Sequence, residues 1–148
     1  MRRFGLIGFP LGHSFSKKYF TEKFLLEGID ARYDLYELKS LEEFAELKVS
    51  ENLCGLNVTI PYKQQIIPFL DEMDETAAEI GAVNVIKFIR NGNDLKLKGY
   101  NSDAIGFLQS IRPYLKPHHN KALILGTGGA SLAFDYTLRK LGIETIFV

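Results

Sequence analysis

The sequence predicts an α/β protein in which a mixed, mostly parallel sheet flanked by helices is followed by the opening β-α-β unit of a second sheet. Three observations carry this. Short apolar runs alternate with amphipathic stretches, the signature of parallel crossover units. An Asn91-Gly92-Asn93 turn between two strand-like runs adds an antiparallel hairpin. Further on, an apolar strand runs directly into a glycine-rich turn that opens a helix.

The elements follow in order. Residues 4–9 form a short apolar run that fits a buried strand, and Pro10-Leu11-Gly12-His13-Ser14 is a turn in which Ser14 or Ser16 is placed to cap the next helix. That helix runs to about Glu27, with Phe15, Tyr19, Phe20, Phe24 and Leu25 near helical spacing, and Gly28 ends it. Residues 31–38 alternate as a strand, with Tyr33, Leu35 and Glu37 on one face and Asp34, Tyr36 and Leu38 on the other. Ser40-Leu41-Glu42-Glu43 reads as a capping box opening a short helix to Lys48. Residues 55–60 alternate as a strand that Pro61 stops. A short helix interrupted by Pro68, a second helix over 71–80 and a strand over 81–89 come next. Residues 95–100 return antiparallel from the hairpin turn, and Asn101-Ser102-Asp103 begins an amphipathic helix that Pro113 disrupts. The breaker-rich Pro117-His118-His119-Asn120 marks a domain boundary.

Composition narrows the function. The chain of 148 residues has 18 basic and 18 acidic side chains, so no positive excess points to nucleic acid or anionic lipid. Cys54 is the single cysteine, which rules out an intrachain disulfide and reads as a small core residue. No residue cluster has metal-ligand spacing; His118 and His119 are adjacent loop residues without a spaced partner. His13 beside Ser14 does not make a hydrolase dyad, because neighbouring positions rarely face each other and no acid completes the set. The N-terminal apolar run is too short for a signal peptide and no run spans a bilayer, so a cytoplasmic protein is expected.

The stretch Asn57-Val58-Thr59-Ile60-Pro61-Tyr62-Lys63 is the chemical centre of the sequence. Asn57 and Thr59 share a sheet face and Lys63 follows just past the strand end, where parallel sheets hold their ligands. Asn84 is a second anomaly: an amide inside an apolar strand must find partners. In the other region, Gly126-Thr127-Gly128-Gly129-Ala130-Ser131 follows an apolar strand, so backbone N–H groups approach a pyrophosphate at the positive end of a helix. This is the first β-α-β unit of a Rossmann-like, dinucleotide-binding domain, with Ser131 at the usual third-glycine position, a departure expected to loosen helix–strand packing slightly. One unit cannot cover both faces of its sheet. The chain is therefore expected to be an N-terminal piece of a longer enzyme, inactive alone, that self-associates or leans on its own first domain.

Taken together, Pro10-Leu11-Gly12-His13-Ser14-Phe15-Ser16, the 57–63 stretch, Gly81-Ala82-Val83-Asn84, Asn101-Ser102-Asp103 with Gly106, and the glycine turn closely resemble the shikimate dehydrogenase family over the whole chain. The resemblance implies a shikimate-binding catalytic domain over 1–116 and the start of an NADP-binding domain over 117–148. The implied reaction is the reversible reduction of 3-dehydroshikimate to shikimate, in aromatic amino acid and chorismate biosynthesis. It matches Lys63 and Asp103 to the catalytic pair, and Ser14, Ser16, Thr59 and Asn84 to residues that hold the substrate carboxylate and hydroxyls. Asn57 belongs to the same substrate motif and is expected to shape the strand end. Residues Gly126, Thr127, Gly128, Gly129, Ala130 and Ser131 match the cofactor's phosphate loop, and Glu75 a nearby acidic position. Where the family commonly has Pro after the second serine and a His-Asn pair farther on, this chain has Lys17, Phe20 and Thr21, which bears on helix packing.

The chemistry agrees with the resemblance. Hydride addition to a ketone leaves an alkoxide that needs a proton, and an ammonium can stabilise the charge and donate. Lys63 is the candidate. Asp103 either forms the other half of an acid–base pair or orients Lys63 and accepts a substrate hydroxyl. A quinate-using dehydrogenase and a non-catalytic module binding a polyhydroxylated acid are the alternatives. The residue that sets NADP against NAD lies about 20 residues past the fingerprint, near or beyond Val148.

Overall fold

The computed structural model describes residues 1–12, 14–50 and 52–148. Among these, strands β1 (Arg2–Gly8), β2 (Ala31–Glu37), β3 (Leu53–Val58), β4 (Glu72–Met73), β5 (Val85–Asn91) and β6 (Asp94–Tyr100) form one six-stranded sheet in the order β2-β1-β3-β5-β6-β4. Strand β1 pairs parallel with β2 and β3; β3 pairs antiparallel with β5, and β5 with β6. A second sheet consists of β7 (Lys121–Ile124) and β8 (Glu144–Phe147), paired parallel through helix α6 (Gly129–Lys140). The other helices are α1 (Ser16–Leu26), α2 (Glu42–Ser50), α3 (Tyr62–Gln65), α4 (Glu75–Ile80) and α5 (Asp103–Ile111).

Strand alternation sorts the core onto two faces. On one, Ile7, Leu56, Val58 and Ile86 pack with Phe44 of α2, Tyr62 of α3 and Ala77 of α4. Each large apolar side chain buried there contributes about 1.5–3 kcal/mol. On the other face Leu6, Leu11 and Tyr33 pack with Phe20 and Phe24 of α1. Of the aromatic and apolar residues expected to seat α1, only Phe20 and Phe24 do so; Phe15, Tyr19 and Leu25 are exposed. Two of the departures noted in this helix, Lys17 and Phe20, are part of how it docks, while Thr21 is exposed. Phe20 stacks on Tyr33 with centroids 4.6 Å apart, and Lys17 pairs with Asp34 of β2 at 3.3 Å.

Several expectations are corrected locally. Among the described residues no side chain caps α1: the Ser14 hydroxyl accepts the Ser16 N–H at 3.3 Å and forms a turn, while Phe15 stands at the cap. Residues 71–80 are not one helix. The Asp71 carboxylate accepts the Leu97 N–H at 2.7 Å and pulls the next residues onto the sheet edge as β4, and Asp74 then caps α4 by accepting the Ala77 N–H at 2.9 Å. The strand expected from residue 81 starts only at Val85, because Gly81 ends α4 in the left-handed region at φ +71°. The capping box at α2 is half realised, with Glu43 Oε1 accepting the Ser40 N–H at 3.0 Å. The hairpin closes through Gly92 and Asn93 in the register Asn91↔Asp94. Cys54 is half-buried rather than fully in the core.

Helix α5 joins the two sheets. Its Phe107 meets Phe134 of α6 at 4.4 Å and packs with Ile124, Leu138 and Ile143 of the second unit. Helix α6 also reaches the first unit through Thr137, whose hydroxyl donates to the Ala104 carbonyl at 3.3 Å, and through a Lys140–Glu79 pair at 3.0 Å. Among the described residues no helix is long and apolar enough to cross a membrane.

Candidate active site

The topology explains why residues distant in sequence meet. Strands β1, β3 and β6 run the same way, and β5 runs against them, so the ends of β1, β3 and β6 share a rim with the start of β5. That rim carries Ser14 and Ser16 after β1, Thr59 and Lys63 after β3, Asn84 before β5 and Asp103 after β6.

The backbone of residues 82–84 ties these segments together. The Val83 N–H donates to the Lys63 carbonyl at 2.7 Å, the Val58 N–H to the Asn84 carbonyl at 2.8 Å and the Asn84 N–H to the Tyr100 carbonyl at 3.0 Å. Asn101, 4 % exposed, adds a side-chain tie. Its amide donates to the Ala82 carbonyl at 2.9 Å and accepts the N–H groups of Asp103 at 3.0 Å and Ala104 at 3.4 Å. Ser102 stands at the cap position of α5, and Asn101 before it ties the first two helix amides and holds the position of Asp103.

On this frame the structure brings Lys63, Asn84 and Asp103 together. Lys63 Nζ donates to Asp103 Oδ2 at 2.7 Å, and Asn84 Nδ2 donates to Asp103 Oδ1 at 2.7 Å. Asn84 is buried and its amide is used in full, because Oδ1 accepts the Ser102 N–H at 2.8 Å and Nδ2 also reaches the Ser102 hydroxyl at 2.9 Å. The side chains of Lys63 and Asp103 stay 16 % and 27 % exposed, so a charge-assisted pair lies at the edge of solvent where a ligand can reach it.

A second group lies on the same rim. Ser14, Ser16 and Thr59 line one pocket of about 420 Å³ with Leu6, Leu11 and Gly12. Asn57 faces elsewhere: its Oδ1 accepts the Tyr33 hydroxyl at 2.7 Å, and both residues line a larger, mainly apolar cavity of about 600 Å³ between α1 and β5. Burial pushes the Tyr33 phenol well above its ordinary value, an effect that a hydrogen bond with Ser16 offsets in part. Tyr33 thus links the α1 turn to β3, a role its strand periodicity did not signal. The signal available was its partner, since Asn57 lies on the same face of the same sheet, one strand beyond β1. His13 lies outside the described residues.

The glycine turn completes the site. Gly126 takes φ +103°, a value that disfavours side chains, and leads into α6. Among the described residues no side chain caps α6 and a Cβ on Gly128 would meet nothing within 4 Å, so the helix start offers its first amide N–H groups and open space to an anion. The residues fit a dinucleotide's phosphates. Ser131 is buried where a third glycine is usual. The turn abuts the lysine through Gly129, whose added Cβ would lie 2.7 Å from Lys63 Cβ. Glu75 is exposed in the first turn of α4.

A rim of polar side chains on a mixed sheet, beside a glycine turn entering a helix, places the chain in a class of two-sheet α/β proteins. A family model described as the shikimate dehydrogenase substrate binding domain matches residues 6–86, and the chain belongs to that family. It is 44% identical over 148 residues to the shikimate dehydrogenase (NADP(+)) of Aquifex aeolicus, covering 95% of this chain and 52% of that protein. The enzyme of the same name from Methanosphaera stadtmanae is 42% identical over 146 residues, covering 97% and 50%. Among solved structures, shikimate dehydrogenase from Aquifex aeolicus matches with a TM-score of 0.87 and 39% identity, covering 99% of this chain and 55% of that one. The Thermus thermophilus enzyme in complex with NADP(H) and shikimate matches with a TM-score of 0.85 and 32% identity, covering 99% and 55%. The chain spans about half the length of the curated relatives it matches.

Proposed function

We propose that this chain provides the substrate-binding and proton-transfer groups of an NADP-dependent shikimate dehydrogenase, which interconverts 3-dehydroshikimate and shikimate in aromatic amino acid biosynthesis in the cytoplasm. The observation that carries the reading is the Lys63–Asp103–Asn84 network at the sheet rim, with the glycine turn against Lys63. Residues 1–116 form the substrate-binding part and 117–148 open the cofactor-binding unit.

NADPH, when bound, supplies a hydride to the ketone carbon. The oxygen left with negative charge takes its proton from Lys63 Nζ, which Asp103 holds in place at 2.7 Å. In the reverse direction Lys63 receives the hydroxyl proton as the hydride leaves. Asn84 keeps the Asp103 carboxylate turned toward Lys63 and reaches a ring hydroxyl by giving up its bond to the Ser102 hydroxyl, while Thr59 is the second group for the ring hydroxyls. Ser14 and Ser16, in the Thr59 pocket, suit the substrate carboxylate. Asn57, held by Tyr33, shapes the end of β3 beside them. Gly126, Thr127, Gly128, Gly129, Ala130 and Ser131 would hold the cofactor's phosphates, and Glu75 is assigned as an acidic residue near the cofactor.

The test uses the full-length gene product. NADPH oxidation with 3-dehydroshikimate, abolished by Lys63→Ala, is the expected result. Calorimetric binding of shikimate without turnover in the wild type would instead identify a sensor, and faster turnover of quinate a quinate dehydrogenase.

A further inference from the structure

The helix that follows the glycine turn touches the lysine, and a missing methyl group makes the contact possible. A Cβ on Gly129 would lie 2.7 Å from Lys63 Cβ, 3.2 Å from its Cδ and 3.5 Å from Ala82 Cβ. The first distance is far inside ordinary carbon–carbon contact. Lys63 Cβ cannot swing away, being bonded to a backbone whose carbonyl accepts the Val83 N–H at 2.7 Å. The other glycines of the turn differ. A Cβ on Gly128 would meet nothing within 4 Å, and one on Gly126 would meet only the Ser131 hydroxyl, at 3.9 Å. Gly129 is also not among the glycines with positive φ. Backbone conformation therefore does not require glycine there; the close approach to Lys63 does.

We propose that Gly129 is a positioning residue: its bare Cα lets the N-terminus of α6 seat against the Lys63 side chain and so sets how close the cofactor-binding turn comes to the proton-donating ammonium. Lys63 is then clamped at both ends, by Asp103 at Nζ and by α6 along the stem. The catalytic consequence rests on the dehydrogenase reading; the contact itself does not.

Gly129→Ala tests both parts in the full-length gene product. Amine acetylation followed by mass spectrometry reads the contact. Lys63, 16 % exposed in its side chain, is expected to label several-fold faster relative to the exposed Lys96 once α6 is pushed away. Steady-state kinetics read the consequence. The kcat is expected to fall by about tenfold or more, because ångström-scale misplacement of reacting groups is costly, with a larger primary deuterium isotope effect and shikimate affinity held. Unchanged labelling overturns the proposal, as does a loss of turnover explained wholly by weaker NADPH binding. If the wild type does not turn over 3-dehydroshikimate, the dehydrogenase reading falls and labelling alone decides the contact. If Gly129→Ala fails to fold, the double substitution Lys63→Gly with Gly129→Ala returns the lost space. Recovery of a folded protein then supports the contact, and continued unfolding overturns it.

Discussion

Asp103 divides its carboxylate between two donors, the ammonium of Lys63 and the amide of Asn84, each at 2.7 Å. Replacing it with asparagine keeps the shape but removes the charge that holds the ammonium. In the full-length product, Asp103→Asn is expected to lower kcat about 100-fold or more, in the range of a lost acid–base group, while calorimetric affinity for shikimate changes much less. Wild-type kcat in this variant would remove the pair from the mechanism.

Asn101 holds Asp103 through backbone alone. Asn101→Ala leaves the Ala82 carbonyl and the first amides of α5 without a buried partner, at a cost of about 1–3 kcal/mol in urea unfolding. Turnover should drop with it and not recover when the variant is fully folded at low temperature. Wild-type kcat in folded Asn101→Ala would show that Asp103 is placed by other contacts.

Burial raises the Tyr33 phenol above its ordinary value of 10.0. The phenol therefore ionises more readily in the unfolded chain, and its contribution to stability, intact below pH 10, is lost as pH rises beyond it. Tyr33→Phe keeps the stack on Phe20 but has no proton to lose. Urea midpoints measured at neutral pH and above pH 10 should converge, with the wild type losing more; parallel losses would count against the buried phenol.

At the α4 N-terminus, Asp74→Ala removes the acceptor of the Ala77 N–H. A cost of about 1 kcal/mol is expected in thermal or urea unfolding. No change would mean that α4 is held by its packing against the sheet alone.

What the sequence made legible, and what it hid, follows from the kind of signal each residue sends. Asn84 and Lys63 stood out because polar groups beside apolar strands must find partners, and the motif order added Asp103. Tyr33 was hidden because a tyrosine at strand periodicity reads as core, and its hydroxyl meets Asn57 only once β1 has brought β2 and β3 to either side of it. Asn101 reads in sequence merely as the start of a helix, since its tie to Ala82 spans 19 positions. The β4 edge was missed for a related reason: Asp71 is bonded to Leu97, and no local pattern announces a pairing made across the fold. The approach of Gly129 to Lys63 was equally invisible, because a glycine in such a turn already has a phosphate to explain it.

The turn at Gly92 and Asn93 sits at the rim opposite the one that carries the polar side chains, because β5 and β6 each run the full height of the sheet between the two. Exposed at the tip of its hairpin, it is a natural insertion point. A fluorophore or affinity peptide spliced there would travel with the folded protein while leaving the rim of Lys63 and Asp103 untouched, giving a handle for watching ligand arrival from a safe distance.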